Sequence, residues 1–280
     1  MLFRSFLLNV QGHILADALV LRLDQESFLL DCEPQAFETI WQQLDRHIIA
    51  DVVELEDWRE RLACFSIEGP LARVALEKAL GAALPAMRAF DHVYLNEMEV
   101  RVVRATVCGG DGYRVFAPPQ RAAKLCEKVL TPSSGVAANV TAAGFEALEI
   151  CRIENGVPRY GVDITEKNLA QETGQMHAVS FSKGCYIGQE VVERIRSQGH
   201  VNRKLVRLLF EGRQEIAPGL QIQIERQTVG ATGSSAYSFA MEKTVALGYL
   251  RREYAEAGKR VMVGTVAAEV GELPVISVLG

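Results

Sequence analysis

The sequence lacks several features that would assign it quickly to a class. No apolar run is long enough to span a membrane, and no C-x-x-C pair occurs among its six cysteines. The histidines do not cluster beside the cysteines, so neither a zinc ribbon nor a self-contained iron–sulfur motif is expected. A formal net charge of −5 argues against broad, charge-driven binding to nucleic acid. The first residues become polar too soon for a secretion signal. We therefore expect a cytoplasmic protein with reduced thiols, no metal site, no direct nucleic-acid binding and no membrane attachment.

The length and the pattern of apolar residues predict an α+β protein of more than one domain. The 280 residues are 49% hydrophobic and contain no long low-complexity tract, so a large core is expected. Up to about residue 203, strands alternate with helices. The predicted strands are 6–10, 14–23, 27–30, 48–55, 62–67, 100–107 and 113–116, and the predicted helices are 34–47, 71–80, 120–130 and 145–153. From residue 205, short alternating runs between glycines predict a small antiparallel β-barrel. The predicted domains are residues 1–203 and 204–280.

The stretch KGCYIGQE, residues 183–190, is the most distinctive part of the chain. It places Cys185 next to Gly184, close to Lys183 and ahead of an amphipathic run that predicts a helix. If the helix begins near Gly188, its positive end and Lys183 both favour a thiolate. The alternative is a small apolar side chain that fills a loop, because free cysteines are usually buried and inert. Cysteine chemistry alone leaves both interpretations open.

Two carboxylates and one basic run also stand out. Asp17 lies in an apolar strand and must face water, a partner or a ligand, because unpaired burial is costly. Glu154 ends an apolar helix beside a Gly/Pro-rich loop, a common place for ligand contacts. For each carboxylate, a solvent-facing surface residue is the commoner outcome. The run 194–207 could bind an anion, but a solvated strand face is the usual explanation.

Several blocks together resemble the folate-binding family that includes the glycine-cleavage T protein (aminomethyltransferase) and the YgfZ proteins. The matching stretches are LNVQGHILAD (8–17), GP (69–70), DGY (111–113), RIENGVPRYGVDI (152–164) and the cysteine motif. Within the family, K-G-C-Y-x-G-Q-E resembles the YgfZ type, because the T proteins carry neither Cys185 nor Gln189. The resemblance implies a GcvT-like folate-binding body, followed by a C-terminal barrel.

The resemblance also implies site residues and a cofactor, which is tetrahydrofolate or a one-carbon derivative. Glu154 matches the residue that hydrogen-bonds the pteridine ring, and Asp17 matches the acidic residue near the reactive folate nitrogens. Tyr113 is expected as a wall of the folate pocket, and Lys183 as an aid to the Cys185 thiol. Arg194, with Arg196 and Arg203, is expected to hold the glutamate tail of folate by charge pairing.

By this resemblance, the expected function is tetrahydrofolate-dependent assembly, maintenance or repair of iron–sulfur enzymes, including tRNA-modifying ones. The expected partners are iron–sulfur enzymes or assembly proteins, and Cys185 is the functional thiol. Two departures from the family pattern matter. Ala16 stands where the T proteins have a second Asp, and a strand-helix segment usual before the hairpin is expected to be missing. The alternatives are a folate-dependent aminomethyltransferase and a scaffold that binds no folate.

Overall fold

The computed structural model describes residues 2–50, 52–131 and 140–274. These residues form two compact units, which we describe separately. The first contains Leu2 and residues 52–151, and the second contains residues 3–50 and 152–274. The second unit therefore combines the N-terminal segment with the barrel. The domain boundary predicted near residue 203 stays a prediction, because the two compact units do not correspond to consecutive stretches of the chain.

The N-terminal segment forms a small sheet and a helix. Strands β1 (Leu2–Leu8), β2 (Ile14–Arg22) and β3 (Phe28–Cys32) lie in the order β1-β2-β3, and helix α1 (Phe37–His47) follows a 3₁₀ turn. The side chain of Asn9 accepts hydrogen bonds from the amides of Gln11 and His13, which shapes the turn between β1 and β2. The buried faces of β2 and α1 meet in one apolar cluster around Ile14 and Ile40.

The first unit is an antiparallel sheet covered by two helices. Its elements are β4 (Ala63–Glu68), α2 (Ala72–Leu80), β5 (His92–Leu95), β6 (Val100–Val103), β7 (Gly112–Ala117) and α3 (Pro119–Leu130), and the strand order is β4-β7-β6-β5. Leu76 of α2, Leu125 of α3 and Val115 of β7 share its core. The left-handed Gly81 (φ +69°) ends α2, as the sequence predicts.

The remaining elements are two helices and a barrel. Helices α4 (Phe145–Glu154) and α5 (Gln189–Gln198) precede β8 (Arg203–Glu211), β9 (Gln221–Ile224), β10 (Gln227–Ser238), β11 (Lys243–Arg251), β12 (Arg260–Val263) and β13 (Val266–Gly271). The six strands close in the order β10-β11-β8-β13-β12-β9, and each reported pairing is antiparallel. The predicted α+β class with a C-terminal antiparallel barrel is confirmed.

Some predicted elements are wrong. The described residues of the predicted strand 48–55 form no strand, and the side chains of Ile49 and Val52 are fully exposed or nearly so. Strand-forming residues do not make a strand without a neighbouring strand to pair with. Strand β10 contains Gly230 and Gly233, which are typical of turns, and the local sequence therefore does not predict this strand. A side chain at Gly230 would lie 2.0 Å from the carbonyl oxygen of Tyr249, so this glycine allows close pairing of β10 with β11.

Candidate functional site

Glu154 is the last residue of α4, and a left-handed glycine fixes the position of this helix end. Gly156 has a φ of +68°, and its amide donates to the carbonyl of Ile153 at 3.0 Å. A side chain at Gly156 would lie 2.9 Å from Leu273, so both its conformation and its surroundings favour glycine. The backbone that carries Glu154 is therefore firmly placed.

The Glu154 carboxylate is half-buried and available to a ligand. Arg207 donates to the Glu154 carbonyl oxygen at 3.1 Å and so contacts the main chain. Within residues 2–50, 52–131 and 140–274, the Glu154 carboxylate has no hydrogen-bond or ion-pair partner. Its oxygens are not among the buried side-chain atoms that lack a hydrogen-bond partner, so the carboxylate is open to solvent and can accept hydrogen bonds from a ligand with adjacent N–H donors. The edge of a reduced pterin presents such donors, and Glu154 therefore fits the folate that the sequence predicts.

A buried ion pair joins α4 to the barrel within the second unit. The side chains of Arg152 and Asp163 are 3% and 0% exposed, and the Nη1–Oδ2 distance is 2.5 Å. The second Arg152 nitrogen donates to the hydroxyl of Ser234 at 2.6 Å, and the Ser234 amide donates to Asp163 at 2.7 Å. Gly233 leaves room for this carboxylate, because a side chain there would lie 2.4 Å from it. The pair thus positions the segment that starts with Glu154.

Asp17 is held in an ion pair with Arg4 on the neighbouring strand. Arg4 Nη2 lies 2.5 Å from Asp17 Oδ2, and Arg4 Nε lies 3.1 Å from both carboxylate oxygens. Arg4 also donates to Gln175 at 3.0 Å and to the carbonyl of Pro158 at 3.2 Å. It therefore links the strand of Asp17 to the loop that follows Glu154. Of the three surroundings expected for Asp17, which are water, a partner or a ligand, the structure shows a partner side chain, that of Arg4.

His177 adds a neutral imidazole to this region, at a position that no pattern in the sequence singles out. Burial and, to a lesser degree, the positive charge of Arg4 together lower the pKa of His177 to about 4, although Asp17 acts in the opposite direction. The ring is therefore uncharged near pH 7, although it lies beside a carboxylate. No sequence motif marks His177, because its surroundings come from residues distant in the chain.

Cys185 lies on the loop before α5, and its side chain is exposed. The helix begins after Gly188, as predicted, and Gly188 has a φ of +84°. The alternative in which Cys185 fills a loop as a buried apolar side chain does not hold. A chemical role for the thiol stays a prediction. Gly188 packs against the turn between β1 and β2, so the cysteine loop and the Asp17 hairpin are neighbours in the second unit.

The basic residues near Cys185 mostly interact with the protein itself. The Lys183 ammonium lies 4.7 Å from the centre of the Tyr186 ring, and the Arg196 guanidinium lies 4.6 Å from that of Phe181. These contacts hold both cations at aromatic faces. Arg203 pairs with Glu172 at 3.0 Å, and Arg194 is exposed on α5. The role of Arg194, Arg196 and Arg203 in holding the glutamate tail of folate stays a prediction.

Tyr113 lies in the first unit, on β7. Its side chain is 4% exposed and belongs to the apolar core of that unit. A role as a wall of the folate pocket stays a prediction. Arg4, Asp17, Glu154, His177 and the Cys185 loop all lie within the second unit.

Comparison with known proteins places this architecture in a family. The model of the GCVT N-terminal domain matches residues 2–183, and that of the glycine cleavage T-protein C-terminal barrel domain matches residues 203–276. The chain belongs to the GCVT family. Membership supports the tetrahydrofolate predicted as cofactor, and the fit of Glu154 agrees with it.

Relatives in the GCVT family carry one recurring name. An aminomethyltransferase of Caldanaerobacter subterraneus subsp. tengcongensis is 28% identical over 262 residues, which span 92% of this chain and 69% of the relative. An aminomethyltransferase of Halothermothrix orenii is 26% identical over 273 residues, spanning 95% and 75%. The glycine cleavage system aminomethyltransferase T of Bartonella henselae has the same fold, with a TM-score of 0.83 at 23% identity over 98% of this chain and 75% of that chain.

Two further findings concern membranes and metals. In the described part of the chain, no helix combines the length and the apolar character needed to cross a membrane. The described residues also contain no group of three or more His, Cys, Asp or Glu side chains arranged to hold a metal ion.

Proposed function

We propose that this GCVT-family chain binds a reduced folate, with the Glu154 carboxylate receiving the N–H edge of the pterin. The observation that carries this proposal is the half-buried Glu154 carboxylate, which has no protein partner in the described ranges. The buried Arg152–Asp163 pair and Gly156 hold it in place from both sides. A preformed acceptor of this kind binds a ligand without the cost of ordering the backbone around it.

The test is a calorimetric titration of tetrahydrofolate into wild type and Glu154→Gln. This substitution keeps the shape of the side chain but removes its charge, and we expect affinity to fall about ten-fold or more, because a charge-assisted hydrogen bond is lost. Glu146→Gln is the matched control, since Glu146 is exposed near the start of the same helix. Equal affinity of wild type and Glu154→Gln would refute this role of Glu154.

Two more specific functions are candidates. The first is folate-dependent aminomethyl transfer, which the comparisons favour. The relatives reported above are named aminomethyltransferases. Against this function, Ala16 stands at the position where the T proteins are expected to have an acid, and Arg4 already compensates the charge of Asp17. In such a reaction this chain would bind and orient the folate, and a bound folate would supply the one-carbon acceptor. The assay is formation of methylene-tetrahydrofolate from an aminomethyl donor by the purified protein.

The second function is support of iron–sulfur enzymes through the thiol of Cys185, as in YgfZ-type proteins. The observation that favours it is the exposed Cys185 side chain within the motif KGCYIGQE. The thiol would engage a cluster, a persulfide or a cysteine of a partner protein. An exposed sulfur can meet any of these without opening the fold.

A complementation experiment separates these two functions. A strain that lacks this protein receives wild type, Cys185→Ser or Cys64→Ser, and iron–sulfur enzyme activities are measured, including that of a tRNA-modifying enzyme. Cys64 is the control because it is also an exposed thiol. Loss of rescue with Cys185→Ser alone, at unchanged folate affinity, supports the thiol function. Full rescue by Cys185→Ser, together with turnover of an aminomethyl donor, supports the transferase.

A further inference from the structure

A groove lined by basic residues lies between the start of β8 and the end of β11, within the second unit. Residues 200–204, 251–253, 255 and 256, together with Glu172, line an open cavity of about 1230 Å³. Four of the lining side chains carry a permanent positive charge: Arg203, Lys204, Arg251 and Arg252. Arg203 and Lys204 belong to the basic run of residues 194–207. Arg251 and Arg252 are distant from that run in the chain, and the barrel places them beside it.

Strand pairing forces these charges together. In the register of β8 with β11, Arg203 is opposite Arg251, and Lys204 is opposite Leu250. The amide of Arg252 donates to the carbonyl of Asn202 at 2.9 Å, which fixes the next residue against the same segment. Like charges placed directly opposite each other across two strands repel and destabilise the pair. An anion between them would offset this repulsion.

The protein compensates only part of this positive charge. Glu172, whose side chain is 4% exposed, pairs with Arg203 at 3.0 Å, and Glu256 pairs with Lys259 at 3.4 Å. In the described ranges, the exposed side chains of Lys204, Arg251 and Arg252 have no hydrogen-bond or ion-pair partner. Glu253 is the remaining acidic residue of the lining. The groove therefore carries an excess of positive charge, although the chain as a whole is acidic.

We infer that this groove binds a small polyanion, a molecule that carries at least two phosphate or carboxylate groups. Guanidinium groups bind both kinds of anion through paired hydrogen bonds, and several fixed cations favour a ligand with several charges. The open groove, at about 1230 Å³, is large enough to admit such a molecule. None of its lining residues is Arg4, Asp17, Glu154, His177 or Cys185, and only Arg203 is shared with the edge predicted for the glutamate tail, so this site is distinct from the pterin acceptor proposed above.

The experiment titrates pyrophosphate and tricarballylate separately into the full chain, by calorimetry at low ionic strength. The test variant is Lys204→Gln/Arg251→Gln. The control is Arg46→Gln/Arg260→Gln, which makes the same charge change at exposed positions outside the groove. We expect at least one anion to bind wild type and the control equally, and to bind the test variant about ten-fold or more weakly. The anion that binds tells whether phosphate or carboxylate is preferred.

Other outcomes would overturn the inference. Failure of both anions to bind, or equal weakening in the two double variants, would mean that the groove is not a polyanion site. Binding of a single-stranded oligonucleotide that is lost in the test variant, without binding of either small anion, would assign the groove to nucleic acid instead. Thermal unfolding verifies folding, and we expect the test variant to be at least as stable as wild type because the Arg203–Arg251 repulsion is removed.

Discussion

Gly188, where α5 begins, packs directly on Gly12 in the turn between β1 and β2. A side chain at Gly188 would lie 3.2 Å from the Gly12 Cα and 2.6 Å from the carbonyl oxygen of Asn9. A side chain at Gly12 would in turn lie 3.0 Å from Val191 on α5. The loop that presents Cys185 is therefore seated on the hairpin that carries Asp17, and both glycines are needed for this close approach.

Replacement of Gly188 by alanine should destabilise the protein and disturb the Cys185 loop. Gly188 has a φ of +84°, and alanine there pays about 1–2 kcal/mol for the left-handed conformation and about 1–3 kcal/mol more for the contact with the Asn9 backbone. Gly199→Ala is the control, because Gly199 has a φ of +80° but open space around it. Chemical denaturation measures both. Equal losses of stability in Gly188→Ala and Gly199→Ala would show that the contact of Gly188 with the hairpin does not contribute to stability.

The fold class follows from the sequence, but the contacts of the site residues do not. Apolar periodicity marks α2, α3 and the barrel strands because each buries one face against a neighbour. The motif around residue 185 and the helix start at Gly188 are likewise local, and so they are visible in the chain. The Arg4–Asp17 and Arg152–Asp163 pairs join residues whose approach is decided by packing. No local pattern predicts them.

Removal of one partner from the buried pair of Arg152 and Asp163 should be costly, because the other charge stays buried. We expect Arg152→Met to reduce the free energy of unfolding by about 3–5 kcal/mol, because it leaves the carboxylate of Asp163 buried without its partner. Arg152→Met/Asp163→Leu should recover part of this loss, since neither charge then remains. Arg196→Met is the comparison, because Arg196 forms an exposed pair with Glu193 and should cost less than about 1 kcal/mol. Similar costs for Arg152→Met and Arg196→Met would contradict the assignment.

The low pKa of His177 makes stability depend on pH. Burial lowers this pKa from 6.5 to about 4 in the folded protein, so between these values the unfolded chain binds more protons. Stability should therefore be fully present above pH 6.5 and fall by about 1–3 kcal/mol as the pH drops toward 4, after allowing for partial exposure of the ring.

The measurement is the free energy of unfolding in urea at pH 7.5, 5.5 and 4.5, for wild type and His177→Asn. The variant cannot take up the proton, so its stability should fall less over this range. Parallel curves for the two proteins would assign the acid sensitivity to other groups. An NMR titration of the His177 ring that gave a midpoint near 6.5 would contradict the burial described here.

The cysteines should differ in their reactivity toward an alkylating agent. Burial, with smaller contributions from nearby Glu68 and Cys151, raises the pKa of Cys108 to about 12, so very little Cys108 thiolate is present at pH 8. Cys185, Cys64 and Cys151 are exposed.

With limiting iodoacetamide at pH 8, mass spectrometry of peptides should find Cys185 among the first residues modified and Cys108 among the last. In urea all six thiols should react at similar rates, which separates the effect of the fold from that of local sequence. Modification of Cys108 as fast as Cys185 in the folded protein would show that the loop of Cys108 opens readily, and it would remove the selectivity on which a specific role for the Cys185 thiol depends.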